Sequence, residues 1–128
     1  MKVTQFTDFS FRLLLFLARG QGRIVTVREV AGYYDISAEH LKKVVRSLSE
    51  LGHIKTVRGK NGGLRLARDP AEIELGALIR HQENLALLPC FDPADSCPME
   101  LCRLRGLMDE ALERFLAVFD GKTLADIL

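Results

Sequence analysis

A mainly α-helical fold with one small β-hairpin is what this sequence predicts, and three observations predict it. Two short, capped helical segments joined by a tight turn occupy residues 27–51. A basic stretch of alternating apolar residues, bent about an Asn-Gly-Gly turn, follows at residues 53–68. A last helical segment, residues 98–119, is apolar on two sides. A basic hairpin directly after a helix-turn-helix makes a winged helix-turn-helix, and the last segment adds a long dimerisation helix.

The first helix is expected over residues 6–19, capped by Thr4 or Thr7. Phe6, Phe9, Leu13, Phe16 and Leu17 recur at helical spacing and mark it as a central core helix. Asp8 lies in its first turn, where a carboxylate is favoured by the helix dipole. Gln21-Gly22-Arg23 is a turn. Thr26-Val27-Arg28-Glu29 has the pattern of a capping box and predicts a second helix over residues 27–34. Asp35-Ile36 turns the chain, Ser37 caps the third helix, and Ile36 with Leu41 forms a hydrophobic staple. That helix runs to residue 51, and Gly52 supplies a left-handed stop.

In the third helix Leu41, Val44, Val45, Leu48 and Leu51 share one stripe. Glu39, Lys43, Arg46 and Glu50 centre on the opposite face, with His40 and Lys42 flanking it. The hairpin turn Lys60-Asn61-Gly62-Gly63 is read as supplying residues that accept positive φ. Arg58, Lys60 and Asn61 at its tip are placed to reach phosphates or a minor groove. The glycines do not make a phosphate loop, because the Walker spacing and its Lys-Ser/Thr are absent.

Asp69-Pro70 ends the hairpin, and a short helix is expected over residues 75–82. The long helix is expected to start at Cys97-Pro98, with proline at its first position. Along it Leu101, Leu104, Met108, Ala111, Phe115 and Val118 alternate steps of three and four, as on a coiled-coil seam. Leu107, Leu112, Leu116 and Phe119 add a second apolar face, so the helix has two partners: its own domain and the same helix of a second subunit. Residues 1–70 thus read as the DNA-binding region and 71–103 as a connecting helix and cysteine loop. Residues 98–120 read as the dimerisation helix and 121–128 as a C-terminal turn.

Charge divides the chain in the same way. Residues 1–70 hold 13 Lys and Arg against 6 Asp and Glu, whereas residues 71–128 hold 5 against 11. A basic half joined to an acidic half implies that the first half alone meets a polyanion. The longest apolar run, residues 13–18, is far too short to span a bilayer. No secretion signal is apparent, so a cytoplasmic protein without membrane association is expected. No base–nucleophile pairing or catalytic motif emerges, so an enzyme is not expected.

All three cysteines, Cys90, Cys97 and Cys102, fall within thirteen residues at the spacing C-x6-C-x4-C, among Pro89, Pro93 and Pro98. The odd count argues against a closed disulfide framework. Zinc favours four ligands, often in C-x2-C pairs, whereas an iron–sulfur cluster accepts wider spacing and a fourth ligand from elsewhere. On spacing alone a cluster, zinc and redox-active or structural thiols all stay open.

Taken together these features resemble the Rrf2 family of dimeric winged-helix repressors, and within it the nitric-oxide-sensing members. The likeness is carried by Thr4-Gln5-Phe6-Thr7-Asp8-Phe9, by Val57-Arg58-Gly59-Lys60-Asn61-Gly62-Gly63, by the three cysteines, and by Thr123-Leu124-Ala125-Asp126. It implies a 4Fe–4S cluster held by Cys90, Cys97 and Cys102, with Asp8 of the partner subunit on the remaining iron. It also implies a homodimeric repressor of a palindromic operator in double-stranded DNA, read by Glu39, His40, Lys42, Lys43, Arg46 and the wing, with nitric oxide as signal. Members that hold a 2Fe–2S cluster carry a histidine soon after the third cysteine. Here no histidine follows Cys102, which makes 2Fe–2S the alternative. Iron- or redox-responsive regulation is the runner-up, and a cluster carrier or a protein with structural zinc are the remaining rivals.

Overall fold

In the computed structural model, which describes residues 1–95 and 97–128, the chain forms two units. One comprises residues 1–73 and 123–128, the other residues 74–122.

The first unit is built on α1, Gln5–Arg19, whose start is fixed by the Thr4 hydroxyl accepting from the Thr7 amide. Its apolar stripe buries Phe9, Leu13, Leu14 and Leu17. α2, Val27–Tyr34, and α3, Ala38–Glu50, follow, joined through Asp35 in the left-handed region at φ 53°. Aspartate tolerates that conformation better than most residues. Leu41, Val44 and Leu48 of α3 are fully buried, and α3 packs against both α1 and α2. Gly52 stops α3 at φ 75°. Each leucine so buried contributes about 1.5–3 kcal/mol relative to exposure, so α1 and α3 hold the helix-turn-helix as one piece.

The wing is the antiparallel pair β1, Ile54–Val57, and β2, Gly63–Leu66, in the register Ile54↔Leu66 to Val57↔Gly63. Val25 adds a rung on the far side of β2: its amide donates to the Leu64 carbonyl at 2.9 Å, and the Leu64 amide donates back at 2.7 Å. Ile73 and Leu124 close this core, joined by the Leu124 amide donating to the Ile73 carbonyl at 2.9 Å. The C-terminal turn, Leu124–Ile127, thereby belongs to the first unit.

The second unit holds α4, Leu75–Gln82, and α5, Arg103–Ala117. Arg80 grips Asp120 through two hydrogen bonds of 2.7 and 3.2 Å, and the Leu75 amide donates to the Lys122 carbonyl. Gly76 sits where a Cβ would lie 2.9 Å from Arg80 Nη1 and 3.0 Å from Asp120 Oδ1. No helix among the described residues is long and apolar enough to cross a membrane.

Three local expectations differ from the structure. α5 starts at Arg103 with Cys102 at its N-cap, five residues after the proposed start at Pro98. Proline permits a first helical turn but does not drive one, and a short helix needs an apolar surface to pack on. Met99 and Leu101 pack on none among the described residues, being 63% and 92% exposed. The Thr26 hydroxyl caps α2, but Glu29 turns away from the reciprocal capping bond to form two hydrogen bonds with Arg23. In the wing it is Gly59 that takes positive φ, at 112°, whereas Gly62 and Gly63 are required by close backbone approach.

Candidate metal centre and nucleic-acid interface

The outward face of α3 carries Glu39, Lys42, Lys43 and Arg46, all exposed. Lys42 pairs with Glu39 at 2.7 Å and Arg46 with Glu50 at 3.2 Å. The hydrogen bond from Lys42, and then its charge, hold the Glu39 carboxyl below the usual range. Such exposed pairs are weak, being screened by solvent, so either cation can be transferred to a phosphate at small cost. Lys43 has no ion pair among the described residues. Arg58, Lys60 and Asn61 are exposed at the wing tip.

His40 is placed differently from its neighbours. Its amide donates to the Ser37 hydroxyl at 3.2 Å, closing the α3 cap. Its ring lies edge-on to Phe9 at 4.8 Å and 66°, and 6.4 Å from Phe6. The imidazole is therefore half-buried against α1, whereas the charged residues around it face outward.

Asp8, one turn into α1, is half-exposed and receives the Arg12 guanidinium at 3.0 Å. Arg12 in turn lies 5.5 Å over the Tyr34 ring, and the Tyr34 hydroxyl donates to the Arg12 carbonyl at 3.2 Å. Burial first, and the neighbouring Tyr33 second, raise the Tyr34 phenol above its ordinary value. Arg12 escaped the sequence reading, although its spacing four residues after Asp8 is the ordinary signal for such a pair.

The cysteines lie in the second unit. Cys90 is half-buried in the short turn Pro89–Phe91, Cys97 is exposed, and Cys102 is half-buried at the α5 N-cap. All three are free thiols. Arg105 stacks 5.1 Å over the Phe91 ring, tying the first turn of α5 to the turn that carries Cys90. Three thiols on one loop are a soft donor set that suits an iron–sulfur cluster. In this conformation, however, no three His, Cys, Asp or Glu side chains converge on a metal position among the described residues. The fit is thus one of ligand chemistry, with the loop not drawn together. Asp8 lies in the other unit of the chain.

Known proteins are similar to this chain in sequence and in fold. Residues 3–128 match the model of the Rrf2 family, described as iron-dependent transcriptional regulator. The HTH-type transcriptional regulator NsrR of Geobacillus kaustophilus is 46% identical over all of this chain and 90% of its own. That of Bacillus subtilis is 39% identical with the same coverage. Among solved structures, IscR of T. potens superposes with a TM-score of 0.79 at 26% identity, covering 99% of this chain and 85% of that one. CymR, the global cysteine regulator of B. subtilis, gives 0.78 at 25% identity, covering 99% and 95%.

Proposed function

The chain belongs to the Rrf2 family as an NsrR-type transcriptional regulator, and from that premise we propose a cytoplasmic, homodimeric DNA-binding repressor whose operator affinity is set by a nitric-oxide-sensitive iron–sulfur cluster. Being a transcriptional regulator, it is not an enzyme. The observation that carries the proposal is the placement of three free thiols on one loop of a chain whose other unit presents a basic helix and hairpin.

On this reading two copies of α3 enter successive major grooves of a palindromic operator, with the wings at its flanks. Glu39, Lys42, Lys43 and Arg46 reach bases or phosphates, and Arg58, Lys60 and Asn61 hold the flanking backbone. α5 supplies the contact between subunits, since Leu104, Leu107 and Val118 are 55%, 65% and 68% exposed and need a cover. Cys90, Cys97 and Cys102 would hold a 4Fe–4S cluster, with Asp8 of the partner subunit as the fourth ligand. When bound, the cluster supplies iron that reacts with nitric oxide. A carboxylate would be the weakest ligand of that set, so the iron it holds would be the most readily attacked. Asp8 has Arg12 at 3.0 Å to receive it when it is not a ligand, and release would alter the start of α1. Iron responsiveness is a second reading favoured by the family description, and it uses the same ligands.

Anaerobic purification tests the ligand set. The wild-type protein is expected to carry iron and sulfide in equal amounts, and Cys90→Ser, Cys97→Ser and Cys102→Ser each to lose them while still dimerising. A normal load in one variant would remove that cysteine from the set.

A further inference from the structure

We infer that His40 is a positioning residue, through which the first turn of α1 sets the pose of the recognition helix, and not a reader of bases. The inference rests on the DNA-binding reading above and goes beyond it by separating one residue of α3 from its neighbours.

The ring sits in the first turn of α3, where side chains commonly reach base edges. Yet its contacts are aromatic and lie behind it. Phe9 stands 4.8 Å away at 66° and Phe6 stands 6.4 Å away. An edge-to-face pair at that separation has a preferred geometry and resists sliding. Phe9 is 8% exposed and cannot retreat. Phe6 is held by its own helix, its carbonyl accepting from the Ser10 hydroxyl at 2.8 Å. The same turn is capped by Thr4. The two phenyl rings, three residues apart on α1, form a shelf against which the His40 ring of α3 rests.

Leu41, the next residue, is fully buried and anchors the helix in the core. Asp8 is the chain neighbour of Phe9. A change at Asp8 that shifts the first turn of α1 moves the shelf, and the His40 ring carries the shift to the end of α3 nearest the DNA. What the site asks for is a flat ring, so phenylalanine should replace histidine whereas alanine should not.

The test compares His40→Phe and His40→Ala with the wild-type protein on a duplex selected in vitro by the wild-type, cluster-loaded form. Single-base variants of that duplex are included, and each protein is measured with and without cluster. His40→Phe is expected to keep the wild-type affinity, base preferences and dependence on the cluster. His40→Ala is expected to weaken binding of the cluster-loaded form by about 3- to 10-fold, the size of a missing aromatic pair, evenly across base variants and without changing the salt slope. The ratio of affinities with and without cluster should shrink toward one. Loss of discrimination at a single base pair in His40→Phe would make His40 a base reader and overturn the inference. An unchanged ratio in His40→Ala would reduce it to ordinary packing and overturn it equally. Failure of the wild-type protein to select any duplex would instead remove the DNA-binding reading itself.

Discussion

Replacing Gly62 by alanine should disable the wing while leaving the rest of the chain intact. A Cβ at this position would collide with the Val57 carbonyl oxygen, with the Gly59 carbonyl oxygen at 2.9 Å and the Arg58 carbonyl carbon at 3.0 Å. All three are backbone atoms, so no rotamer change relieves the clash and the loop between β1 and β2 must open. Opening breaks the hydrogen bond that the Gly62 amide donates to the Gly59 carbonyl at 3.0 Å, worth about 1 kcal/mol. It also strains the Val57↔Gly63 pair beside it, and overpacking of this kind typically costs about 1–3 kcal/mol. Alanine restricts the unfolded chain and returns about 0.4–1 kcal/mol. The net expectation is a loss of about 1–3.5 kcal/mol, read as a lower urea midpoint. Operator affinity should fall as Arg58 and Lys60 leave the DNA backbone, and the salt slope should drop by about one for each phosphate they no longer neutralise. Gly59→Ala would be opposed by conformation alone, since nothing lies within 4 Å of its Cβ but its φ of 112° strains any L side chain. Wild-type stability and operator affinity in Gly62→Ala would refute the close-packing argument for the wing.

Three further outcomes are expected. Lys43→Ala and Arg46→Ala should each weaken operator binding without altering the cluster spectrum, and Glu50→Gln, which frees Arg46 from its 3.2 Å pair, should strengthen it; unchanged affinity in both alanine variants would end the recognition-helix assignment. Tyr34→Phe should cost about 0.5–1.5 kcal/mol by removing the hydrogen bond to the Arg12 carbonyl. Because the folded Tyr34 phenol is raised, mainly by burial, its contribution is complete below about pH 10 and is lost as pH climbs through the folded value. A denaturation series at alkaline pH should therefore show a steeper loss for wild type than for Tyr34→Phe. For the fourth ligand, a heterodimer of an Asp8→Ala subunit and a subunit with all three cysteines changed to serine should recover one nitric-oxide-responsive cluster of wild-type lifetime; behaviour like the Asp8→Ala homodimer would place Asp8 outside the ligand set.

Caps and periodicity made most of the fold legible. Thr4, Thr26 and Ser37 accept from the amides that start α1, α2 and α3, and α4 spans the residues its pattern marked. What escaped the sequence is what depends on the third dimension. The start of α5 depends on a surface that Met99 and Leu101 do not find among the described residues. The need for glycine at 62 and 63 comes from neighbouring carbonyls, which composition cannot distinguish from a need for positive φ. At the candidate site the outward charges of α3 follow from its apolar stripe. The inward turn of His40 does not, because a histidine at the stripe's edge is compatible with either side. The cysteine spacing specifies a soft donor set but contains no information on how the loop closes.

On the reading proposed here, a cluster on Cys90, Cys97 and Cys102 controls operator binding in response to nitric oxide. This control is tested most directly by titrating nitric oxide into the cluster-loaded protein on its selected operator duplex, following cluster absorbance and DNA occupancy in the same sample. Occupancy is expected to fall in step with loss of the cluster, and apo-protein to start at low occupancy and not respond. Occupancy that stays constant while the cluster is destroyed would contradict it.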